Sequence, residues 1–494
     1  MRGRTNIDGA SFINGDIVQY EVAENNHIMA GDFVQKLDGY SGIEKNILSV
    51  GYLTQNMTVY QIDENIILMI YSSDGDLFVH YATYSFITES YISLKASEKI
   101  DRYSICSSRV SETNRFVISG QGYSNNRKNT FVEMIEVNSV GEITILGNSD
   151  FSSLSTGGYF FWGIESIFQY AKKEEERFFI GFGVENFPKS TNTRQFNYFF
   201  FTFSVLGQII TKGERIRNSI FQSTYSGTSN LTSTYKARSL FVSDNKAILL
   251  FDKNKDSYGT SNKIAKNIEL IETTSSLNTQ INEVELYSYY PSYGCYYFNY
   301  FCMGKISEQY TAVIITETEK DSNSQLEGTF DGTKYSLKIY DSGLNQIVFS
   351  YNFEKGDFLN GTPYSDTFFI QGLGNGIFVF GCSNSQYSGM IKAFRFNGIN
   401  DFKQGKYVMI EKFIPQTVNP VCVYDQKQYI VGFDIKTNYI TTNSFEIDKD
   451  LNVNVGNKSI RIMKYYNTID GVAKNSGDSG EIISVYIPRN NEEV

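Results

Sequence analysis

Two stretches of this chain carry residues whose types and spacing suit chemistry. In "DKNKDSYG", residues 252–259, Asp252, Asn254 and Asp256 stand at alternate positions with Gly259 close behind. That is the opening spacing of an oxygen-ligand calcium loop. The bidentate carboxylate due at the twelfth position is missing, because Lys263 stands there, and two lysines inside the loop oppose a divalent cation. The stretch therefore reads as a hairpin loop, with Asp252, Asn254 and Asp256 kept only as a weak metal candidate. The second stretch is "YSYYPSYGCYYFNYF", residues 287–301. Tyr offers a large apolar face and a hydroxyl at low entropic cost, so Tyr289, Tyr290, Tyr293, Tyr296 and Tyr297 are candidates for a sugar-stacking platform. The competing reading is a structural connection whose rings cover the edge of a core.

Catalysis finds no positive support in the sequence. Only two histidines exist, His27 and His80. His27 is expected in the exposed turn "AENNH", and His80 on an outer strand. The five cysteines (Cys106, Cys295, Cys302, Cys382, Cys422) are scattered and odd in number, which reads as buried free thiols rather than a disulfide framework. No G-x-S-x-G, H-E-x-x-H, P-loop or C-x-x-C is present. Glycoside hydrolysis needs two carboxylates about 5–9 Å apart, and spacing singles out no pair among the 54 acidic residues. The expectation is a protein that is not an enzyme, with no catalytic residues and no cofactor. A formal net charge of −10 without any Lys/Arg cluster argues against a nucleic-acid partner. The first residues contain no apolar segment of a secretory signal, and no apolar run is long enough to cross a bilayer.

The elements that must position these residues are strands. One helical candidate exists, "IESIFQYAKKEEERF", but "KKEEE" reads better as a solvated turn between strands. Elsewhere a single pattern recurs: a polar residue or two, a continuous apolar run, a polar loop, then an alternating strand. It begins near Asn65, Asn114, Glu176, Asn245, Gln309, Asn375 and Lys427. Runs such as "IILMI", "AILLF", "TAVII" and "IFVFG" suit strands buried on both faces. Their partners "FVEMIEV", "YSLKIY" and "MIKAFRF" alternate, as half-exposed outer strands would. Seven units of roughly 50–65 residues predict an all-β protein, a β-propeller of about seven blades over residues 45–457. "SSDGDLF", residues 72–78, resembles the Asp-box turn of sialidase-type propellers. Those boxes repeat and usually end in Trp, whereas this chain has one Trp, Trp162, so an Asp-Gly hairpin loop is expected.

The two ends complete each other. "GDIVQYEV" and "AGDFVQ" near the start, and "IDGVAKNSGDSGEIISVYIP" at the finish, look like halves of one small β domain. Their order and the "GVA" ending resemble the small β domain of tailed-phage virion proteins, found in head-decoration proteins and at the roots of phage fibres. Residues 1–35 and 466–494 are thus read as one discontinuous, barrel-like anchor domain, with the propeller inserted between its halves. Insertion of this kind is tolerated where the ends of the insert lie close together. The Asn/Ile/Lys/Tyr-rich middle resembles tail-fibre or surface proteins of phages infecting low-GC Gram-positive bacteria. The resemblance implies a virion protein, made in a bacterial host cytoplasm and present in multiple copies per particle. It would be attached to other virion proteins by the terminal domain and would contact a host cell-surface glycan through the propeller. A capsid head-decoration or head-fibre protein and a glycan-degrading propeller enzyme stay open as alternatives.

Overall fold

The computed structural model describes residues 15–22, 27–30, 33–36, 45–49, 53–73, 77–88, 90–101, 105–110, 113–124, 127–151, 160–173, 176–190, 193–215, 221–226, 238–243, 246–253, 262–273, 276–287, 296–320, 333–341, 347–354, 357, 367–383, 389–415, 419–435, 439–455, 459–462, 471–478 and 481–488. Among them there is no α-helix. The charged "KKEEE" spans the end of Phe160–Lys173 and the start of Glu176–Ser190, so the helical candidate is two antiparallel strands; Glu174 and Glu175 lie outside the described residues.

Seven sheets follow one another, over residues 53–101, 105–150, 160–226, 238–287, 296–352, 369–410 and 413–455, and are numbered here as blades 1 to 7. Each is an antiparallel meander whose strands pair in chain order. First strands of successive blades meet one another around a common axis. The chain therefore forms a seven-bladed β-propeller. The outermost position is shared by two short strands in blades 3, 6 and 7. In blade 7 the sharing closes the ring, because Lys45–Ser49, which precedes blade 1, pairs with Tyr439–Ile447 alongside Val453–Val455.

Every apolar run of the sequence repeat is the second strand of a blade: Ile66–Ser73, Arg115–Ser124, Glu176–Ser190, Lys246–Lys253, Tyr310–Lys320, Ile377–Ser383 and Lys427–Asp434. The physical reason is that the cores lie between blades. On Ile66–Ser73, Ile67 and Met69 pack with Val431 and Phe433 of blade 7, whereas Leu68 and Ile70 pack with Phe116 and Ile118 of blade 2. A strand covered on both sides has no polar face to alternate with. The same covering corrects one expectation. "FVEMIEV" and "MIKAFRF" are third strands rather than half-exposed outer ones, and their polar positions Glu133 and Lys392 are buried. His80 likewise stands on a third strand, Phe78–Ser85, stacked on Tyr71.

The two ends of the chain form a separate closed barrel of five strands, in the order Gly15–Val22, Ser459–Ile462, Phe33–Lys36, Gly471–Ala473, Ile482–Pro488 and back to the first. Every strand from the beginning of the chain is flanked on both sides by strands from its end. Gly15–Val22 runs antiparallel to Ile482–Pro488 over the register Gly15↔Pro488 to Glu21↔Ile482. Ile483 and Val485 point inward and Ile482 outward, so the period-2 pattern of the closing stretch is that of a one-sided strand. A two-residue ladder, His27–Ile28 with Gly477–Asp478, adds a further joint between the halves.

Candidate functional site

An antiparallel blade sends its turns alternately to the two faces of the ring. Turns between first and second strands, and between third and fourth strands, share one face. Among the described residues they are 62–65, 306–309, 375–376 and 425–426, and 138–142, 207–208, 397–401 and 448–452. Local chemistry makes two of them tight. Asn138 Oδ1 accepts from the amides of Val140 and Glu142, and Asp448 Oδ1 accepts from those of Asp450 and Asn452. Gly141 and Leu451 then take left-handed φ values of 86° and 66° at equivalent places. Three of these turns also lean on the preceding blade. Thr83 donates to the Gly141 carbonyl, Arg115 Nη1 donates to the Gly207 carbonyl at 2.8 Å, and the Lys406 amide donates to Asn452 Oδ1 at 3.1 Å.

The opposite face receives the connections between second and third strands and between successive blades. The strand ends joined there are separated by chain lengths far more varied than those on the tight face. The described parts of all three stretches singled out in the sequence belong to strands that lead into or out of such connections. "SSDGDLF" joins Ile66–Ser73 to Phe78–Ser85, the short hairpin connection expected of it. Asp252 lies in Lys246–Lys253, directly across the ladder from Lys263, the residue that occupies the twelfth position of the supposed calcium loop. Asp252 thus belongs to one of two antiparallel strands that the stretch connects. Asn254 and Asp256 lie outside the described residues. The aromatic run divides in two: Tyr296 and Tyr297 open the first strand of blade 5, opposite Lys320 and Glu319, while Tyr289, Tyr290 and Tyr293 lie outside the described residues. The run thus links the last strand of blade 4 to the first strand of blade 5, the inter-blade position of the structural reading.

Polar side chains that the sequence reading passed over organise the ring instead. Val421 and Val423, on the first strand of blade 7, are each gripped by a glutamine amide from a neighbouring blade. Gln371 of blade 6 donates to the Val421 carbonyl at 2.7 Å and accepts from its amide at 2.9 Å. Gln61 of blade 1 does the same for Val423, at 2.6 and 3.1 Å. Arg109 of blade 2 continues the belt, donating from Nη1 to the Gln61 carbonyl at 3.0 Å, from Nε to Thr113 and from Nη2 to Asn114. Beside it the Tyr60 hydroxyl meets Ser107 at 2.9 Å, and burial pushes its pKa up to about 12.

Two buried charges sit farther out. Glu133 accepts from the Tyr81 hydroxyl at 2.6 Å between blades 1 and 2, and burial raises its carboxyl above the ordinary range. Lys392 donates to the Asp357 carbonyl at 2.9 Å and lies near the rings of Phe353 and Phe394; burial lowers its pKa against the opposing pull of Asp357. Both stand on third strands, two strand spacings or about 10 Å from the first strands, so they lock blades rather than line the axis. Cys302, Cys382 and Cys422 are buried thiols, with Cys422 pushed up to about 12 by burial, and Cys106 is half-buried. Among the described residues no group of three or more His, Cys, Asp or Glu is placed to hold a metal.

No protein-family model matches the chain, and no curated protein does. Among solved structures the chain is similar to Kuenenia stuttgartiensis hydrazine synthase, at 10% identity and a TM-score of 0.44, covering 84% of this chain and 100% of that one. It is similar to the six-bladed fungal lectin of Aleuria aurantia at 7% identity and a TM-score of 0.36, covering 74% and 98%. It is also similar to the WD40 domain of SCAP from fission yeast at 9% identity and a TM-score of 0.36, covering 90% and 98%. Likenesses of this size leave the fold resting on the chain's own sheets, and the question of function on its geometry.

Proposed function

We propose that this is a surface protein of a tailed-bacteriophage virion, of the tail or baseplate fibre type. In this reading the barrel holds it to the particle, and the propeller contacts the host cell. The observation that carries the reading is the barrel itself: its "GVA…GEIISVYIP" strands resemble the small β domain of phage virion proteins, and they interleave with strands from the start of the chain. The proposed contact surface is the face of long connections, because loops there change without disturbing the blades. The proposed ligand is a cell-surface glycan, met weakly at each copy and held by many copies together. Cryo-electron microscopy of intact particles tests the assignment. Density for the propeller at the tail tip or baseplate is the expected result, and a particle without the protein overturns it. Density on the capsid would favour the head-decoration alternative, to which the resemblance of the terminal strands also leads. The glycan-degrading alternative requires release of reducing ends from host wall polysaccharide, and a chain that binds cells without releasing them removes it.

A further inference from the structure

The two crossings between barrel and propeller are pinned at both ends. On the propeller side, Lys45 pairs with Thr442 and Val455 with Phe445, so the entering and leaving chains lie three residues, about 10 Å, apart along the outer edge of one strand of blade 7. On the barrel side, Lys36 pairs with Ile460. Only residues 37–44 and 456–459 intervene between the pinned points. Four covalent steps separate Val455 from Ser459, a reach of at most about 15 Å. The barrel is therefore held beside the rim of blade 7 by covalent geometry alone.

The strand that closes the ring is slight. Lys45–Ser49 makes register pairs at Lys45, Asn46, Leu48 and Ser49, with an irregularity between Ile440 and Thr441, on the outermost edge of its sheet. Such edges open at low free energy. The assembled barrel holds Lys36 against Ile460 and so keeps Lys45 in the neighbourhood of its place beside Val455. Closing the outer edge then costs only the entropy of a short pinned loop rather than that of a free chain end. We infer that the barrel is a clasp for blade 7: barrel assembly and docking of Lys45–Ser49 on Tyr439–Ile447 stabilise each other. Coupling of this kind is reciprocal by thermodynamic necessity. It holds whatever surface the protein contacts.

Hydrogen exchange on the full chain tests it. Val485 is buried in the barrel, and Val485→Asp should strip protection from Gly15–Val22. The expected result is a tenfold or greater loss at Lys45–Ser49 as well, with Arg115–Ser124 of blade 2 unchanged. If Val485→Asp yields no folded protein, Val485→Ala provides the same readout with a smaller loss. Loss of protection across Gly15–Val22 with none at Lys45–Ser49 overturns the inference. The reverse arm joins Asn46→Cys to Thr441→Cys, which face each other in the ladder. Oxidation should raise protection in Gly15–Val22, and an unchanged barrel overturns the reciprocity.

Discussion

Glu133 is buried between two blades, where it accepts from the Tyr81 hydroxyl and feels Ser97, Glu98 and Lys99. Its pKa is raised chiefly by burial, with Tyr81 and Ser97 opposing. The folded state thus binds this proton more tightly than the unfolded chain does. The associated stability is fully present below the ordinary value of 4.5 and is lost as pH rises through the raised folded value. Glu133→Gln keeps an acceptor for Tyr81 and removes the titration. Thermal unfolding from pH 4.5 to 8 should show the wild type losing stability relative to the variant; parallel curves would sink the assignment. Tyr81→Phe leaves the carboxyl short of a donor and should cost about 1–3 kcal/mol in chemical denaturation. Neither residue was legible as buried. In "FVEMIEV" the alternation reports which side of the strand each residue occupies, not whether that side is covered. Lys392 in "MIKAFRF" was hidden for the same reason.

At the scale of elements, the glutamine belt addresses a problem particular to the closing blade. The first strand of blade 7 is broken into Phe413–Pro415 and Val421–Tyr424, and its second piece would otherwise present unpaired amide and carbonyl groups at Val421 and Val423. Gln371 and Gln61 satisfy those groups from both sides. Gln61→Ala and Gln371→Ala should each cost about 1–3 kcal/mol. The double variant should cost less than the sum, because each grip depends on the strand the other holds. Full additivity in urea titrations would mean that the two act separately. Gly432 is a second such fitting: a Cβ there would meet Phe413 Cζ at 2.2 Å and the Ile414 carbonyl at 2.6 Å. Gly432→Ala should therefore destabilise by about 1–3 kcal/mol in the same assay. The second strands were legible because burial on both sides writes an unbroken apolar run. The belt was not, because a glutamine amide that grips a backbone carries no spacing signature. The aromatic run and the Asp252 hairpin were legible as positions, since their density and turn residues mark connections.

For the whole molecule, the division of labour between the ring's faces bears on recognition, and the barrel bears on attachment. A chain lacking residues 471–488 leaves both early barrel strands without partners on at least one side, while the interblade cores are untouched. We expect that truncation to keep its propeller core and its cell binding but to be lost from purified particles, as counted by quantitative mass spectrometry. Normal copy number would end the attachment role. The split barrel was legible because alternating strands at both ends had no neighbours of their own, but its strand Ser459–Ile462 lies outside the residues 466–494 read as its second half. Its interleaved order was not, since sequence periodicity says nothing about which strand lies beside which. The Lys36↔Ile460 pair has a practical corollary. Because these residues already face each other across two antiparallel strands, excising everything between them and inserting Asn-Gly would turn the cut into an ordinary two-residue hairpin. The remaining miniature should fold by itself, and the same seam should accept grafts of unrelated modules, which makes the propeller an interchangeable head on a reusable handle.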